Sequence, residues 1–512
     1  MPTNKTLVIG LDGATPNLIY PLARKGIFKN LQDIISAGVH GNLKSTIPPV
    51  TCPAWVSSVT GVNPGKHGIY DFLLSVDLRK KKIEYANSTK RKTKAIWNML
   101  IDSGMNVIVL NVPVTYPPEK VNGVIVTGML TPSLRSEFTY PKELKEDLLD
   151  LNYQIDIGET MLEKIISFKR GKIQMLKEVE ALVESRLRAA QFLMMEYEWD
   201  FFMVVFVALD RIQHLFWRYI DSKHIAYNPI ESNSIFPHIV RVFRRLDMGI
   251  GKLVKEAGKN TNIVIYSDHG FKPLNTFFFP NNVLRKKRFL KLSEKRLHHL
   301  SIVTQTNVQK TLINFHLDKL LQKIPVNIRR HIGKIIPPSI DFSSIFEVTP
   351  NDTKAFYIGD GFIKINRDCV EGEKEYEKIR NKIIQLFSGE SIHTSIKVHL
   401  KEQIYKGPQI GSIPEIILEN NESIGLSSLM PLNGTEFLDY RVDNEKPSLM
   451  WNGQHDRHGI IICKGPDFKN NKIIDADILD ITPTILRTFG YTIPPYLDGR
   501  ALFEALRDIT WG

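Results

Sequence analysis

Cysteine is scarce in this sequence. Cys52, Cys369 and Cys463 are the three cysteines among 512 residues, and long stretches of chain separate them. A disulfide framework needs an even set of closely spaced cysteines, and a cysteine-based zinc site needs pairs of them. The sequence therefore predicts neither kind of structure.

Long hydrophobic runs are also missing. No apolar run reaches the ~18 residues that a membrane-spanning helix requires. The first segment, MPTNKTLVIGLDG, has neither the basic start nor the apolar core of a signal peptide, because a strand pattern begins almost at once. These absences predict a cytoplasmic protein. The composition, with 43% hydrophobic and 24% charged residues, is ordinary for a soluble enzyme, and the length allows one large domain with insertions or two domains.

Strand and helix patterns alternate along the chain. The runs typical of buried strands are, in order, KTLVIGLD, MNVIVLNVP, GVIVTGM, FFMVVFVALD, TNIVIYSD and GIIICKGP. Helical patterns lie between them, and the longest extends over about residues 160–197. This alternation predicts an α/β fold built on a doubly wound sheet.

Three of these apolar runs end in an aspartate, namely Asp12, Asp210 and Asp268. One such residue alone is most often the cap of the following helix. In an open α/β sheet, however, the strand ends are where a ligand binds, and converging buried carboxylates are costly without a cation. The three aspartates together predict a cation site.

Histidines accompany the aspartates. His269 directly follows Asp268, and His214 lies four residues after Asp210, so the latter pair would share one face of a helix. His455 and His458 lie in NGQHDRHGIIICKGP, on a predicted loop. Each histidine alone is more often structural, but imidazole and carboxylate together suit zinc, with manganese or iron as substitutes.

One threonine stands out in the segment STIPPVTCPAWVSSVTGVNPGKHGIYDF. Prolines before and after Thr51 hold it in a rigid turn, and a helix is predicted to begin near Ala54. A helix N-terminus attracts anions, so a hydroxyl there, beside a metal, can attack a phosphate or sulfate. Thr51 is equally well explained as the N-cap of that helix.

The positive charge is concentrated in residues 282–338. That segment holds thirteen Lys/Arg and two acidic residues, while the whole chain has a net charge of +12. Apolar residues recur there at helical spacing, which predicts an inserted helical cap. The segment is favoured to be a solvated cap that packs on the core. The alternative is contact with an anionic membrane or another polyanion, which would make the protein peripheral to a membrane.

As a set, and in this order, the motifs resemble those of the alkaline phosphatase superfamily, in the branch of type I phosphodiesterases and nucleotide pyrophosphatases. Those enzymes carry a similar threonine, followed by T-G-x-x-P-x-x-H-G, here TGVNPGKHG. Further matching runs are GLDGA, ALDRIQH, SDHGF, GQHDRHGI and DILDITPTILRTFGYTIPPYLDGR. The likeness covers residues 1–135, 200–280 and 450–505.

The resemblance implies an alkaline-phosphatase-like core, a doubly wound and mostly parallel sheet with helices on both faces. Residues 1–280 and 450–512 would form this metal-dependent core. Into it would be inserted the basic helical cap of residues 282–338 and a mixed α/β segment of residues 339–449.

The resemblance also implies two divalent metal ions, with Zn²⁺ expected first and Mn²⁺ as the substitute. One site would consist of Asp12, Thr51, Asp268 and His269, and the other of Asp210, His214 and His455. His458 is the rival of His455, because HDRHG departs from the H-G-x-D-N pattern of the nucleotide pyrophosphatases. Asn87, in EYANST, is the candidate for holding a phosphoryl oxygen.

The implied reaction is a two-metal displacement in which Thr51 attacks phosphorus and forms a covalent phospho-threonine. The expected substrate is a small phosphate ester, and no specific nucleic-acid recognition is predicted. A phosphodiesterase is favoured over a phosphomonoesterase, and both over a phosphomutase. A sulfatase is disfavoured, because those enzymes carry Cys or Ser at the nucleophile position, although Cys52 is adjacent. A non-catalytic binding protein on this scaffold is the alternative from another class.

Overall fold

The structure is a computed structural model that describes residues 5–157, 171–292, 345–346, 348–389, 396–420, 422–430, 435–439 and 451–508. No helix within these ranges is long and apolar enough to cross a membrane.

Strands and helices alternate through the described ranges. The strands are β1 (Lys5–Leu11), β2 (Val39–Lys44), β3 (Leu73–Asp77), β4 (Lys82–Tyr85), β5 (Val107–Leu110), β6 (Gly123–Val126), β7 (Thr139–Tyr140), β8 (Phe201–Phe206), β9 (Thr261–Tyr266), β10 (Gly270–Pro273), β11 (Thr276–Phe278), β12 (Ala355–Ile358), β13 (Phe362–Ile365), β14 (Ile396–Leu400), β15 (Ile416–Asn420), β16 (Ile424–Leu426), β17 (Phe437–Asp439), β18 (Gly453–Asp456), β19 (His458–Lys464) and β20 (Lys472–Asp477). The α-helices are α1 (Pro16–Arg24), α2 (Lys29–Ala37), α3 (Thr51–Thr60), α4 (Pro64–His67), α5 (Ile96–Ile101), α6 (Leu144–Asp150), α7 (Lys172–Glu196), α8 (Ala208–Ile220), α9 (Pro229–Ala257), α10 (Pro280–Lys286), α11 (Gly372–Ser388), α12 (Lys401–Ile404) and α13 (Ile481–Thr488).

The largest sheet has nine strands in the order β20-β2-β19-β9-β1-β8-β5-β6-β7. β1 pairs in parallel with both β8 and β9, and β5 pairs in parallel with β8 and β6. β19 runs antiparallel between β9 and β2. The sheet is therefore parallel at its centre and mixed toward its edges.

The central strands carry apolar residues at almost every position. All six residues of β8 and all six of β9 are buried, so both faces of the sheet are covered, as a parallel sheet requires. Packing of α7 against α9 contributes to this cover. Asp247 of α9 accepts hydrogen bonds at 2.9 Å from the backbone N–H groups of Asn30 and Leu31, which ties α9 to the start of α2.

A second, smaller sheet has the order β12-β13-β15-β14 and is antiparallel throughout. It packs with α11 around its own hydrophobic cluster, which includes Phe356, Phe362 and Ile383. This sheet lies within residues 339–449, where the sequence predicts a mixed α/β insertion.

Two sequence predictions fall partly outside the described ranges. Of the basic segment 282–338, only residues 282–292 are described, and they contain the last part of α10. The predicted helical insertion otherwise lies outside the described residues. The long helix expected over residues 160–197 is described as α7, and residues 158–170 are not described.

Candidate functional site

The three strand-end aspartates converge because their strands are neighbours in one sheet. Asp12 directly follows β1, and Asp268 follows β9 after one intervening residue. Asp210 lies in the first turn of α8, just beyond β8. Since β9, β1 and β8 are adjacent and parallel, their carboxyl ends meet at one edge of the sheet.

Two compact groups of possible metal ligands form at this edge. In each group the ligand atoms all lie within 4.8 Å of one another; the first consists of Asp12, Asp268 and His269, and the second of Asp210, His214 and His455. In the first group, His269 Nε2 lies 3.2 Å from Asp268 Oδ2 and 3.6 Å from Asp12 Oδ1. In the second, the Nε2 atoms of His214 and His455 each lie 3.3 Å from Asp210 Oδ1.

In each aspartate one carboxylate oxygen accepts a hydrogen bond, and the other oxygen is left for a metal ion. Trp55 Nε1 donates to Asp12 Oδ2 at 3.0 Å, and the backbone N–H of Gly13 donates to Asp268 Oδ1 at 3.2 Å. Arg211 Nη1 donates to Asp210 Oδ2 at 2.5 Å. The second oxygens, Asp12 Oδ1, Asp210 Oδ1 and Asp268 Oδ2, are buried without a hydrogen-bond partner in the described part of the chain. Such orphaned carboxylate oxygens fit a monodentate metal ligand.

The three histidines are oriented by backbone carbonyls. His214 Nδ1 lies 3.0 Å from Gly453 O, His455 Nδ1 lies 3.0 Å from Pro49 O, and His269 Nδ1 lies 3.1 Å from Gly270 O. With the proton on Nδ1, each Nε2 presents a lone pair to its group. His214 Nε2 and His455 Nε2 are 3.0 Å apart, and two facing lone pairs at that distance fit a shared cation.

Burial makes the charges of this site costly. Burial, and after it the charge of Asp210, raises the pKa of Asp12 to about 7. Burial and the charge of Asp12 raise the pKa of Asp268 well above its usual range. Burial alone would also raise the pKa of Asp210, but His214, His455 and Arg211 hold that pKa well below its usual range. A divalent cation in each group would offset the remaining negative charge, so the residues fit such a cofactor.

Thr51 lies beside the first group. Its Oγ1 is 3.3 Å from His269 Nε2, and the residue is buried. The helix expected to begin near Ala54 begins at Thr51 itself, and Val50 is its N-cap residue, so both that start and the N-cap explanation of Thr51 are wrong. The reason is Pro53, which is tolerated within the first helical turn because an N–H there has no intrahelical partner.

Comparison with known proteins identifies the family. The family of type I phosphodiesterases and nucleotide pyrophosphatases matches residues 6–428. The chain belongs to this family. The phosphodiesterase family is metal-dependent and hydrolyses phosphate esters such as nucleotides, so the chain is a phosphoester hydrolase.

Solved structures show the phosphodiesterase fold. Human ectonucleotide pyrophosphatase/phosphodiesterase 5 is similar with a TM-score of 0.54 and 14% identity, over 98% of this chain and 100% of that one. The murine protein gives the same values, both alone and as an inactive variant in complex with AMP. At this identity the likeness shows the fold alone, and it confirms the predicted alkaline-phosphatase-like α/β core. No curated protein sequence matches the chain.

Asn87 and His458 belong to neither of the two ligand groups. Asn87 caps a single helical turn: its Oδ1 accepts from Thr89 N at 3.0 Å and from Thr89 Oγ1 at 2.6 Å, and its Nδ2 donates to Tyr85 O. These local contacts give no support to a role in holding phosphate. His458 is exposed at the start of β19, opposite Lys44 of β2, and is outside both groups.

Several residues around the two ligand groups are not predicted by the sequence. Arg211 joins Asp210 to Asp156, with Nη2 2.8 Å from Asp156 Oδ2. Its position directly after Asp210 in ALDRIQH was a usable signal. Asp71 and Asp360 lie near Cys52 and raise the pKa of that buried thiol, after the larger effect of burial itself. Their approach depends on tertiary contacts that no local pattern reveals.

The family match ends at residue 428, so it does not decide between His455 and His458. Substitution of each histidine tests the choice directly. His455→Ala should lower turnover of bis-p-nitrophenyl phosphate by on the order of 100-fold and remove one bound metal ion, because a candidate ligand is lost. His458→Ala should stay within about twofold of the wild type, as an exposed residue away from both groups. Steady-state kinetics and metal analysis of both variants measure this. The reverse ordering would reassign the ligand to His458.

Proposed function

We propose that the chain is a two-metal phosphodiesterase that works through a covalent phospho-threonine at Thr51. The observation that carries this proposal is the position of the Thr51 hydroxyl. It is buried, it lies 3.3 Å from His269 Nε2, and it begins a ten-residue helix at the edge where both ligand groups form. A helix N-terminus favours an anion, so a phosphate ester would be attracted to the same place.

The ligand groups divide as follows in the proposal. Asp12, Asp268 and His269 would hold one ion with Thr51, and Asp210, His214 and His455 would hold the other. Zn²⁺ is proposed first, because imidazole and carboxylate ligands suit it, and Mn²⁺ is the substitute. When bound, the two ions would act as Lewis acids that stabilise negative charge on the attacking and leaving oxygens.

The protein's own residues then account for the covalent steps. The Thr51 oxygen attacks phosphorus, the bond from phosphorus to the leaving alcohol breaks, and the alcohol takes up a proton. Water next attacks the phosphorus of the phospho-threonine, which releases the phosphate monoester and restores the Thr51 hydroxyl. Trp55, Gly13 and Arg211 keep the three aspartates in place during both steps through the hydrogen bonds described above.

Hydrolysis of matched aryl phosphates tests the proposed substrate class. With Zn²⁺ or Mn²⁺ present, bis-p-nitrophenyl phosphate should show a kcat/KM roughly tenfold or more above that of p-nitrophenyl phosphate. A site for diesters has to accept a second organic group and only one negative charge. A higher kcat/KM for the monoester would identify a phosphomonoesterase, and no turnover of either by metal-loaded protein would contradict the proposal.

A further inference from the structure

The side chain of Arg211 lies between a candidate metal ligand and a second aspartate. Arg211 Nη1 donates to Asp210 Oδ2 at 2.5 Å. On its other edge, Arg211 Nε donates to Asp156 Oδ1 at 3.2 Å, and Nη2 donates to Asp156 Oδ2 at 2.8 Å. A two-point contact of this kind fixes the plane and the direction of a guanidinium group. Asp156 therefore decides how Arg211 faces Asp210.

Asp156 is held in place by a buried part of α7. Ser185 Oγ accepts a hydrogen bond at 2.8 Å from the backbone N–H of Gln154, two residues before Asp156. Arg186, the next residue of α7, donates through Nη2 to the carbonyl oxygen of Ile155. Both helix residues are buried. The packed core of the protein thus sets the position of the Asp156 carboxylate.

The contact with Arg211 also decides which oxygen Asp210 can offer. Because Oδ2 accepts the arginine, Oδ1 remains, and it lies 3.3 Å from the Nε2 atoms of both His214 and His455. Without Asp156, the guanidinium group could turn and form a two-point contact with Asp210 instead. It would then occupy the oxygen that the second ligand group needs for a metal ion.

The charges of these side chains lead to the same conclusion. Arg211 brings a permanent positive charge next to a group that would bind a cation. Asp210 and Arg211 together carry no net charge, and Asp156 restores a negative charge. Solvent screens these charges weakly, because only 17% of the Arg211 side chain and 16% of the Asp156 side chain are exposed. Loss of the Asp156 charge should therefore weaken the attraction for a divalent ion.

Another ion pair of the described chain has similar geometry but no link to the ligand groups. Arg91 Nη2 donates to both carboxylate oxygens of Glu119 at 2.6 Å, and Arg91 Nη1 donates to Asn98 Oδ1 at 3.2 Å. None of these residues belongs to a ligand group. The pair of Asp156 and Arg211 differs from it because its further contact is made to a candidate metal ligand.

We propose that Asp156 is a positioning residue for the second ligand group, which holds its divalent ion tightly only while Asp156 pairs with Arg211. The inference rests on the proposed two-metal function, but it concerns the affinity for an ion and not the chemical step. Asp156 acts through Arg211 and Asp210 rather than by contacting the ion itself. Residues that support metal ligands in this way typically contribute roughly 10- to 100-fold in metal affinity.

Titration with Zn²⁺ against a competing chelator tests this role. The wild type should bind two ions. Asp156→Asn should bind one of them within about threefold of the wild-type affinity and the other roughly 10- to 100-fold more weakly. Glu119→Gln is the matched control, because it breaks an ion pair of the same kind and should lower stability as well. Both of its Zn²⁺ affinities should stay within about threefold of those of the wild type.

Double substitutions show which of the two ions is affected. Asp268→Ala leaves only the second ligand group intact, so the addition of Asp156→Asn should weaken the remaining ion by the same factor of roughly 10 to 100. His455→Ala leaves the first group intact, and there the addition should change the remaining affinity by less than about threefold. The opposite pattern would place the effect of Asp156 at the first group and would overturn the inference.

Turnover separates this inference from the proposed hydrolysis. Turnover of bis-p-nitrophenyl phosphate by Asp156→Asn should rise toward the wild-type rate as Zn²⁺ is added, because the weakened site refills. The expected loss of affinity, with no turnover even in the wild type, would contradict the phosphodiesterase function and leave the inference standing. Two wild-type affinities in Asp156→Asn would overturn the inference alone. If inhibition by inorganic phosphate is also weaker in that variant, Arg211 would be assigned to substrate binding instead.

Discussion

Replacing Thr51 with alanine is expected to lower turnover by roughly a thousandfold or more, because the proposed attacking oxygen is removed. Both ligand groups should remain, since their carboxylates and imidazoles are held by Trp55, Gly13, Arg211 and backbone carbonyls rather than by Thr51. Thr51→Ser should retain part of the activity, because it keeps the oxygen and loses only the methyl group that restricts the rotamer. Kinetics, circular dichroism and metal content of both variants measure these effects.

The proposed covalent intermediate gives a second measurement on the same residue. Rapid acid quenching during turnover, followed by peptide mass spectrometry, should find a phosphoryl or phosphate-ester adduct on Thr51. Cys52 serves as an internal comparison, because burial raises the pKa of its thiol well above the usual range and leaves it a poor nucleophile. Nearly full activity in Thr51→Ala would contradict the covalent mechanism and indicate direct attack by water.

Removing one aspartate from each group is expected to remove one metal ion at a time. Protein purified without chelator should contain up to two divalent ions per chain, and Asp210→Ala and Asp268→Ala should each contain one fewer. Turnover should fall by roughly a thousandfold in both variants, because the proposed reaction uses both ions. Elemental analysis and steady-state kinetics of the three proteins provide the measurement.

Asp247→Ala is the matched control for these variants. Asp247 is also a buried aspartate, but it accepts hydrogen bonds from Asn30 and Leu31 and belongs to neither ligand group. Its loss should lower stability by about 1–3 kcal/mol and leave the metal content unchanged. Asp210→Ala could instead empty both metal sites while Asp268→Ala empties neither. That result would contradict the assignment of the ligands to two separate sites.

The three strand-end aspartates and the fold class can be predicted from the sequence for one physical reason. Continuous apolar runs specify buried parallel strands, and the polar residues that end such strands meet at one edge. Asp12, Asp210 and Asp268 can be predicted in this way because each follows such a run. The α/β fold class can also be predicted, because strand and helix patterns alternate along the sequence.

The parts that sequence reasoning missed depend on contacts between distant segments. Asp71 and Asp360 are 289 positions apart, and only the docking of the small sheet brings them together. The family resemblance makes Asn87 a candidate for holding a phosphoryl oxygen, and the sequence does not reveal that its side chain bonds within its own turn. The sequence predicts one loop for His455 and His458, whereas they belong to consecutive strands, β18 and β19, with different neighbours.

The position of β19 has a consequence for how the enzyme is made. This late strand lies between β2 and β9, which are synthesised far earlier, and β18 just before it carries His455. Before residue 455 is added the second ligand group has only two of its three members, and until β19 is complete at residue 464 β2 has no full bridge to β9. Contacts of such long sequence separation form late, because closing the intervening chain costs entropy. In the proposed two-metal enzyme, stable loading of both metals should therefore mark a chain whose translation is nearly complete, and an incomplete nascent chain should be unable to hydrolyse phosphate esters.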